Sequence, residues 1–237
     1  MATPCGALGA ALSGAVRCGT AVTRLERRGA GFVVHTPGGE VGADAVVLAV
    51  PAYVQRELLA PLDAACAELL AQVPYPPLAV LCLGYRRADV AHPLDGFGFL
   101  VPRREGIRIL GALFESTLFA GRAPDGHVLV RAMIGGAINP EECDRGDEAL
   151  LQTVRDDLRA TVGIDVAPVF ARIYRHEWAI PQYTPGHADR VAELEQRAAA
   201  IGPLVLSGNA YRGISLNDCV KNARPVAAQA LTRLPAA

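Results

Sequence analysis

The sequence has no C-x-x-C pair, no H-E-x-x-H run and no histidine spaced from a cysteine as in a zinc finger, so a metal centre is not expected. Its six cysteines, Cys5, Cys18, Cys66, Cys82, Cys143 and Cys219, are scattered. That is the pattern of reduced thiols in a cytoplasmic protein, not of a disulfide framework. No apolar run reaches the roughly 18–20 residues that a spanning helix requires; Ala45–Pro51 and Leu78–Tyr85 are only strand-length. The opening residues lack both the basic n-region and the strongly apolar h-region of a signal peptide. An excess of one charge is missing too: 23 basic and 24 acidic residues leave a formal charge of −1. Nothing there favours nucleic acid or electrostatic attachment to a membrane. Walker and G-x-S-x-G motifs are absent. Gly29-Ala30-Gly31 begins a G-x-G-x-x-G, but Val34 stands in the third glycine position and both flanks are strand-like, so it reads as a hairpin turn.

What is present is enough apolar material for a sizeable core: 237 residues, of which 51% are hydrophobic and 20% charged. Thr20–Arg28, Phe32–Thr36 and Asp44–Val50, punctuated by Gly and Pro, read as a three-stranded meander whose last strand, Ala45–Val50, is fully buried. Leu8–Val16 is expected as the tail of a small-residue helix. Gln55–Val73 has helical spacing broken at Pro61. The middle is strand-rich, with Leu78–Tyr85, Gly98–Val101, Arg108–Phe114 and Val128–Ile134. Asn139-Pro140 signals a helix start, and Asp147–Val162 is an amphipathic helix with Leu150, Val154, Leu158 and Val162 a turn apart. Phe170–Trp178 is a further strand and Asp189–Ala200 a further helix. The chain closes with a strand, Leu204–Ser207, a glycine turn, Gly208–Gly213, and an Ala-rich helix from Leu216 to Leu231 that contains Pro225.

The fold class is therefore mixed α/β or α+β, without repeats. The two ends share a style of short apolar strands against Gly turns, which suggests a split domain: 1–52 with 201–237 as one unit, and 53–200 inserted between them. The closing strand–turn–helix points backbone N–H groups and a helix dipole at whatever lies above it, with Gly208 and Gly213 permitting close approach. The same pattern also describes an ordinary β–α connection. Glu141-Glu142 and Asp156-Asp157 are adjacent carboxylates that do not face each other on a helix and read as solvated surface. Trp178, the only tryptophan, lies near Tyr174 and Tyr183, where core packing is the default and ring stacking on a ligand the minority role.

The run from Leu204 to Cys219 resembles the C-terminal flavin motif of the oxygen-dependent protoporphyrinogen oxidases, in the amine-oxidase-like flavoprotein superfamily. Gly96–Pro102, Ile109–Ser116, Gly121–Pro124 and Trp178–Tyr183 strengthen the resemblance, and Gly19–Leu25 with Val47–Pro51 resembles the superfamily's adenosine-side strands. The matches run in order from about Leu8 to Leu231. The resemblance implies that the two ends form part of an FAD domain and the middle a substrate domain. It implies Val22 on the adenine side, Trp178 near the flavin, and Ile214, Ser215 and Leu216 along the isoalloxazine, with Gly208 and Gly213 in the same cofactor loop. It places Leu100, Leu113 and Met133 as the apolar sandwich of a tetrapyrrole, and a flat macrocycle suits such Leu and Met faces. Oxidation of protoporphyrinogen IX by FAD and O₂ is the implied reaction. The implied setting is the cytoplasm, with peripheral membrane association and homodimerisation open.

The family's strand–G-x-G-x-x-G–helix, its acidic ribose-binding residue and its propionate-holding basic residue have no counterpart in this sequence, which begins where a full-length member would be about halfway along. A second reading is the branch that oxidises coproporphyrinogen III, whose additional carboxylates require more cations. The apolar trio and the lack of an evident pocket cation lean towards protoporphyrinogen. A third is a non-catalytic remnant or tetrapyrrole-binding scaffold. No catalytic side chain is singled out.

Overall fold

In a computed structural model, which describes residues 2–12 and 14–234, the chain forms two compact units, residues 1–73 with 183–237 and residues 74–182. The junctions thus fall after Val73 and Gln182 and not after residues 52 and 200. The reason is packing: the helices within residues 52–71 and 187–201, which the sequence assigned to the insertion, pack against one another and against strands of the terminal unit.

The terminal unit opens with α1 (Ala2–Ala11), followed by β1 (Arg24–Arg28), β2 (Gly31–Thr36) and β3 (Gly39–Ala43), an antiparallel meander in the order β1-β2-β3. Leu25, Phe32 and Val33 are its buried residues. The third strand is the glycine-containing Gly39–Ala43, not Asp44–Val50 as the hydrophobic run suggested. That run supplies β4 (Val46–Leu48), a short strand in another sheet, with Val47 42% exposed. Then come α2 (Ala52–Leu59) and α3 (Ala64–Ala71), separated around Pro61 as expected; Asp63 caps α3 by accepting the Cys66 N–H at 3.0 Å.

The inserted unit holds β5 (Leu78–Arg86), β6 (Gly98–Leu100), β7 (Ile109–Phe114), the single turn α4 (Glu115–Leu118), β8 (His127–Gly135), α5 (Asp147–Val162) and β9 (Phe170–His176). Its five strands make one antiparallel sheet in the order β6-β7-β8-β5-β9. Alternation along each strand sends Ala79, Leu81, Leu83 and Tyr85, with Val130, Ala132 and Ile134, to one face, where they pack with Leu150, Val154 and Leu158 of α5. Asn139-Pro140 starts a short 3-10 turn instead of a full helix, with no side-chain cap.

Asp157 of α5 is 4% exposed. Its carboxylate accepts the backbone N–H groups of Arg108 and Ile109 at 2.8 and 2.9 Å, while the Arg108 guanidinium lies 3.2 Å away. It is a structural anchor between α5 and the start of β7, not the solvated carboxylate that its neighbour Asp156 suggested.

The chain returns to the terminal unit through α6 (His187–Ile201), β10 (Leu204–Leu206) and α7 (Leu216–Thr232). β10 is fully buried and pairs in parallel with β4, Leu204 opposite Val46 and Leu206 opposite Leu48. Pro225 lies inside α7.

Candidate cofactor and substrate surfaces

In a parallel strand pair the carboxyl ends of both strands feed loops on the same edge, where α/β folds usually hold ligands. Here those loops are Ala49–Pro51 after β4 and Ser207–Gly213 after β10. Gln55, on the first turn of α2 and completely buried, ties them together. Its Nε2 donates to Val50 O at 2.6 Å and Ser207 O at 3.0 Å, with Leu48 O at 3.3 Å, and its Oε1 accepts the Tyr211 hydroxyl at 2.5 Å. Further along the loop, Asn209 O accepts the Tyr183 hydroxyl at 2.7 Å and Tyr211 O accepts His187 Nε2 at 3.0 Å, with the Tyr183 and His187 rings stacked 4.0 Å apart. Asn222 holds Arg212 O, and Arg212 forms a paired salt bridge with Glu195. The loop is held rigidly from three helices.

Within it, Gly213 has φ +74°, and a Cβ there would lie 2.3 Å from the Asp218 Cβ. Its missing side chain therefore makes room for the helix cap, where the sequence suggested room for a ligand. Gly208 (φ +117°) passes the Ala49 carbonyl, which a Cβ would meet at 3.6 Å. Ser215 is the N-cap of α7 in a capping box. Its Oγ accepts the Asp218 N–H at 3.1 Å and lies 2.6 Å from Asp218 Oδ2, which also accepts the Ser215 N–H. The Ser215 hydroxyl, and then the Ser215 N–H, hold Asp218 below the usual carboxylate range. The positive end of α7 thus already carries a carboxylate, leaving the N–H groups of Leu216 and Asn217 at the first turn. Ile214 and Leu216 stand beside it, 42% and 49% exposed, as an apolar lip.

Val22 is exposed in the extended lead into β1, and among the described residues no hydrogen bond joins it to this loop. Trp178, beyond β9 in the inserted unit, is 55% exposed, so the expectation of a core tryptophan is overturned. Tyr174 and Tyr183 are likewise exposed.

In the inserted unit, strand register fixes where Leu100, Leu113 and Met133 lie. Leu100 lies opposite Gly111, which lies opposite Met133, then Val80 and Tyr174; the next row runs Gly98, Leu113, Arg131, Cys82, Arg172. Leu100, Leu113 and Met133 therefore share the sheet face that α5 does not cover, and Leu100 is 79% exposed. A bulge between Ile109 and Gly111 puts Leu113 there: it shifts the phase of β7, so that Ile109, Ala112 and Phe114 all point to the core.

Sequence reasoning missed the cations of this face. Arg131 and Arg172 flank Cys82 on neighbouring strands, two strand spacings or about 10 Å apart. Arg131 Nε lies 2.7 Å from the buried Glu115, a close ion pair without straight hydrogen-bond geometry. Arg172 lies over the Tyr174 ring, 5.3 Å from its centroid. Burial pushes the Cys82 thiol up, against the pull of both arginines. The sequence shows an arginine in each strand, but only the register puts both on the open face.

A parallel strand pair ending in a braced glycine loop in one unit, and a five-stranded antiparallel sheet in the other, are the architecture of a flavoprotein of the amine-oxidase type. Residues 1–231 match the family described as flavin containing amine oxidoreductase, and the chain belongs to that family. It is 34% identical over 227 residues to the chloroplastic protoporphyrinogen oxidase of Oryza sativa subsp. japonica, covering 89% of this chain and 41% of that protein. It is 34% identical over 207 residues to the coproporphyrinogen III oxidase of Propionibacterium freudenreichii subsp. freudenreichii, covering 86% and 38%. A solved structure assigned as a protoporphyrinogen oxidase from Exiguobacterium sp. 255-15 superimposes with a TM-score of 0.75 at 28% identity, covering 90% of this chain and 47% of that one. The chain spans about two fifths of the length of the curated relatives it matches.

The family's cofactor is FAD. The residues present fit its ring end: a braced loop, an apolar lip at Ile214 and Leu216, and first-turn N–H groups of α7 that have no partner among the described residues. For the pyrophosphate, no G-x-G-x-x-G turn between a strand and a helix exists among the described residues.

Proposed function

We propose that this chain supplies the substrate sheet and the flavin-ring loop of an FAD-dependent oxidase that converts protoporphyrinogen IX to protoporphyrin IX with O₂, in tetrapyrrole synthesis. The observation that carries this reading is the shared face: Leu100, Leu113 and Met133, distant in sequence, lie within two adjoining rows of one sheet on the side left free by the core. Such a face binds a flat apolar macrocycle by area and excludes water from it. FAD, when bound, would supply the hydride acceptor. Ile214 and Leu216 would pack along its ring, the N–H groups of Leu216 and Asn217 would face its electron-rich edge, and the Gln55–Tyr211 clip would hold that loop in place. The free thiols of all six cysteines support a cytoplasmic setting.

Oxidation of coproporphyrinogen III is the second reading, and Arg131 and Arg172 favour it, because they put cations beside the apolar row. The test is to add FAD to the purified chain, remove free flavin, record the spectrum, and follow porphyrin fluorescence with each porphyrinogen. Retained flavin absorbance with faster turnover of protoporphyrinogen supports the first reading; faster turnover of coproporphyrinogen supports the second. A colourless chain that forms no porphyrin from either overturns both for this polypeptide.

A further inference from the structure

On the open face of the five-stranded sheet, at the β9 end of the Leu113 row, lies a cleft of about 530 Å³. Gly84 and Cys82 of β5 form part of its lining, with Leu129 of β8, Phe170, Arg172 and Tyr174 of β9, and the Arg122–Pro124 loop. Gly84 leaves space over the sheet into which Phe170 leans: a Cβ at Gly84 would meet the Phe170 Cβ at 3.1 Å. The apolar walls are open to solvent, with Phe170 50% exposed and Tyr174 43%.

Two arginines reach this cleft, and both are held by ring faces. Arg172 lies over Tyr174, and Arg122 lies 5.4 Å from the Phe119 centroid. Among the described residues, neither has a carboxylate within salt-bridge distance, and no Asp or Glu lines the cleft. A cation–ring contact does not use up the N–H donors of a guanidinium, whose planar fork can take a carboxylate with two parallel hydrogen bonds. His127 adds a third nitrogen base to the lining.

We propose that this cleft binds a carboxylate carried on an apolar body, with Arg172 and Arg122 as its anion-holding groups. Arg172 shares its cross-strand row with Leu113, three strand spacings or about 14 Å away. If the oxidase reading above holds, the acid is therefore a side arm of the porphyrinogen lying on that row. A separate apolar acid is the other source of the same chemistry.

The experiment titrates the chain with 1-pyrenebutyrate and its neutral alcohol, 1-pyrenebutanol, and in parallel with protoporphyrin IX and its dimethyl ester, reading probe fluorescence and Trp178 quenching. Wild type is expected to bind each acid more tightly than its neutral partner. Arg172→Gln and Arg122→Gln should each weaken the acids about tenfold while changing the neutral partners less than twofold, and Arg172→Lys should recover part of the loss. Both arginines are exposed, so these variants leave the core untouched. Equal binding of acid and neutral probe by wild type, an equal loss of both in the Gln variants, or no binding of either acid overturns the site. If pyrenebutyrate binds through the arginines and protoporphyrin does not, the site stands and the tetrapyrrole reading falls.

Discussion

The Tyr211 hydroxyl donates to Gln55 Oε1 at 2.5 Å, across 156 positions of sequence, and so joins the loop after β10 to the helix after β4. The same amide donates to the Val50 and Ser207 carbonyls. A single buried glutamine thus takes the polar ends of two parallel strands that, among the described residues, have no further strand beside them. Gln55→Leu keeps the apolar volume but removes the donor of two carbonyls and the acceptor of one hydroxyl. It should cost about 2–4 kcal/mol in urea unfolding, and Tyr211→Phe about 1 kcal/mol. Equal midpoints for wild type and Gln55→Leu would show that water replaces the amide and that the loop is not braced through it.

Leu100 separates binding from folding. With 79% of it exposed, Leu100→Ala should change the unfolding free energy by less than about 0.5 kcal/mol. If a macrocycle lies on that row, the variant should weaken protoporphyrin binding roughly tenfold, the worth of covering one leucine side chain. Fluorescence titration and a urea melt on the same preparation decide it. A destabilised variant with unchanged binding would remove Leu100 from the substrate face.

Most elements were legible because their periodicity is local. The strands of the inserted sheet, α5, the break at Pro61 and the closing strand–turn–helix all follow from apolar spacing and from Gly and Pro. What escaped was set by partners far along the chain. Asp157 looks like its exposed neighbour Asp156 until β7 arrives with two N–H groups. Gln55 looks like the polar start of a helix until Ser207 and Tyr211 close over it. Gly39–Ala43 has little strand propensity of its own and is a strand because β2 offers a register. In the candidate site, Leu100, Leu113 and Met133 were found through the family resemblance, whereas Arg131 and Arg172 follow only from the register, which the bulge and pairing decide. Gly213 shows the converse: a glycine that signals a ligand turn is spent on the helix cap.

Asp63 links α3 to α6 and should make stability depend on pH. The Cys66 N–H, and then Arg197 at 3.4 Å, hold its carboxyl below the ordinary range. A lowered folded pKa means that this contribution is complete above the unfolded value of about 4 and is lost as pH falls through the folded one. Asp63→Ala should cost about 1 kcal/mol at pH 7 through loss of the cap. Asp63→Asn, which keeps a capping oxygen, should cost less at pH 7 and flatten the acid limb of the stability curve. Parallel acid limbs for wild type and Asp63→Asn would assign that pH dependence to other carboxylates.

Tyr85 is the opposite case, a polar atom that the fold does not use. It lies on the core face of β5, 1% exposed, and among the described residues its hydroxyl has no hydrogen-bond partner. Burial pushes its pKa up to about 12, against a smaller pull from Arg155. A phenol whose folded pKa is raised ionises more readily in the unfolded chain, so stability should fall as pH rises above about 10. Tyr85→Phe removes a hydroxyl that gave up water without finding a partner, and the ring still fills its place among Leu83, Val128 and their neighbours. The variant should therefore be more stable than wild type by about 1 kcal/mol, with a higher urea midpoint at pH 7 and a shallower loss above pH 10. Destabilisation of that size instead would mean that a buried water serves the hydroxyl, since a partnered phenol is the one arrangement in which removing the oxygen costs stability.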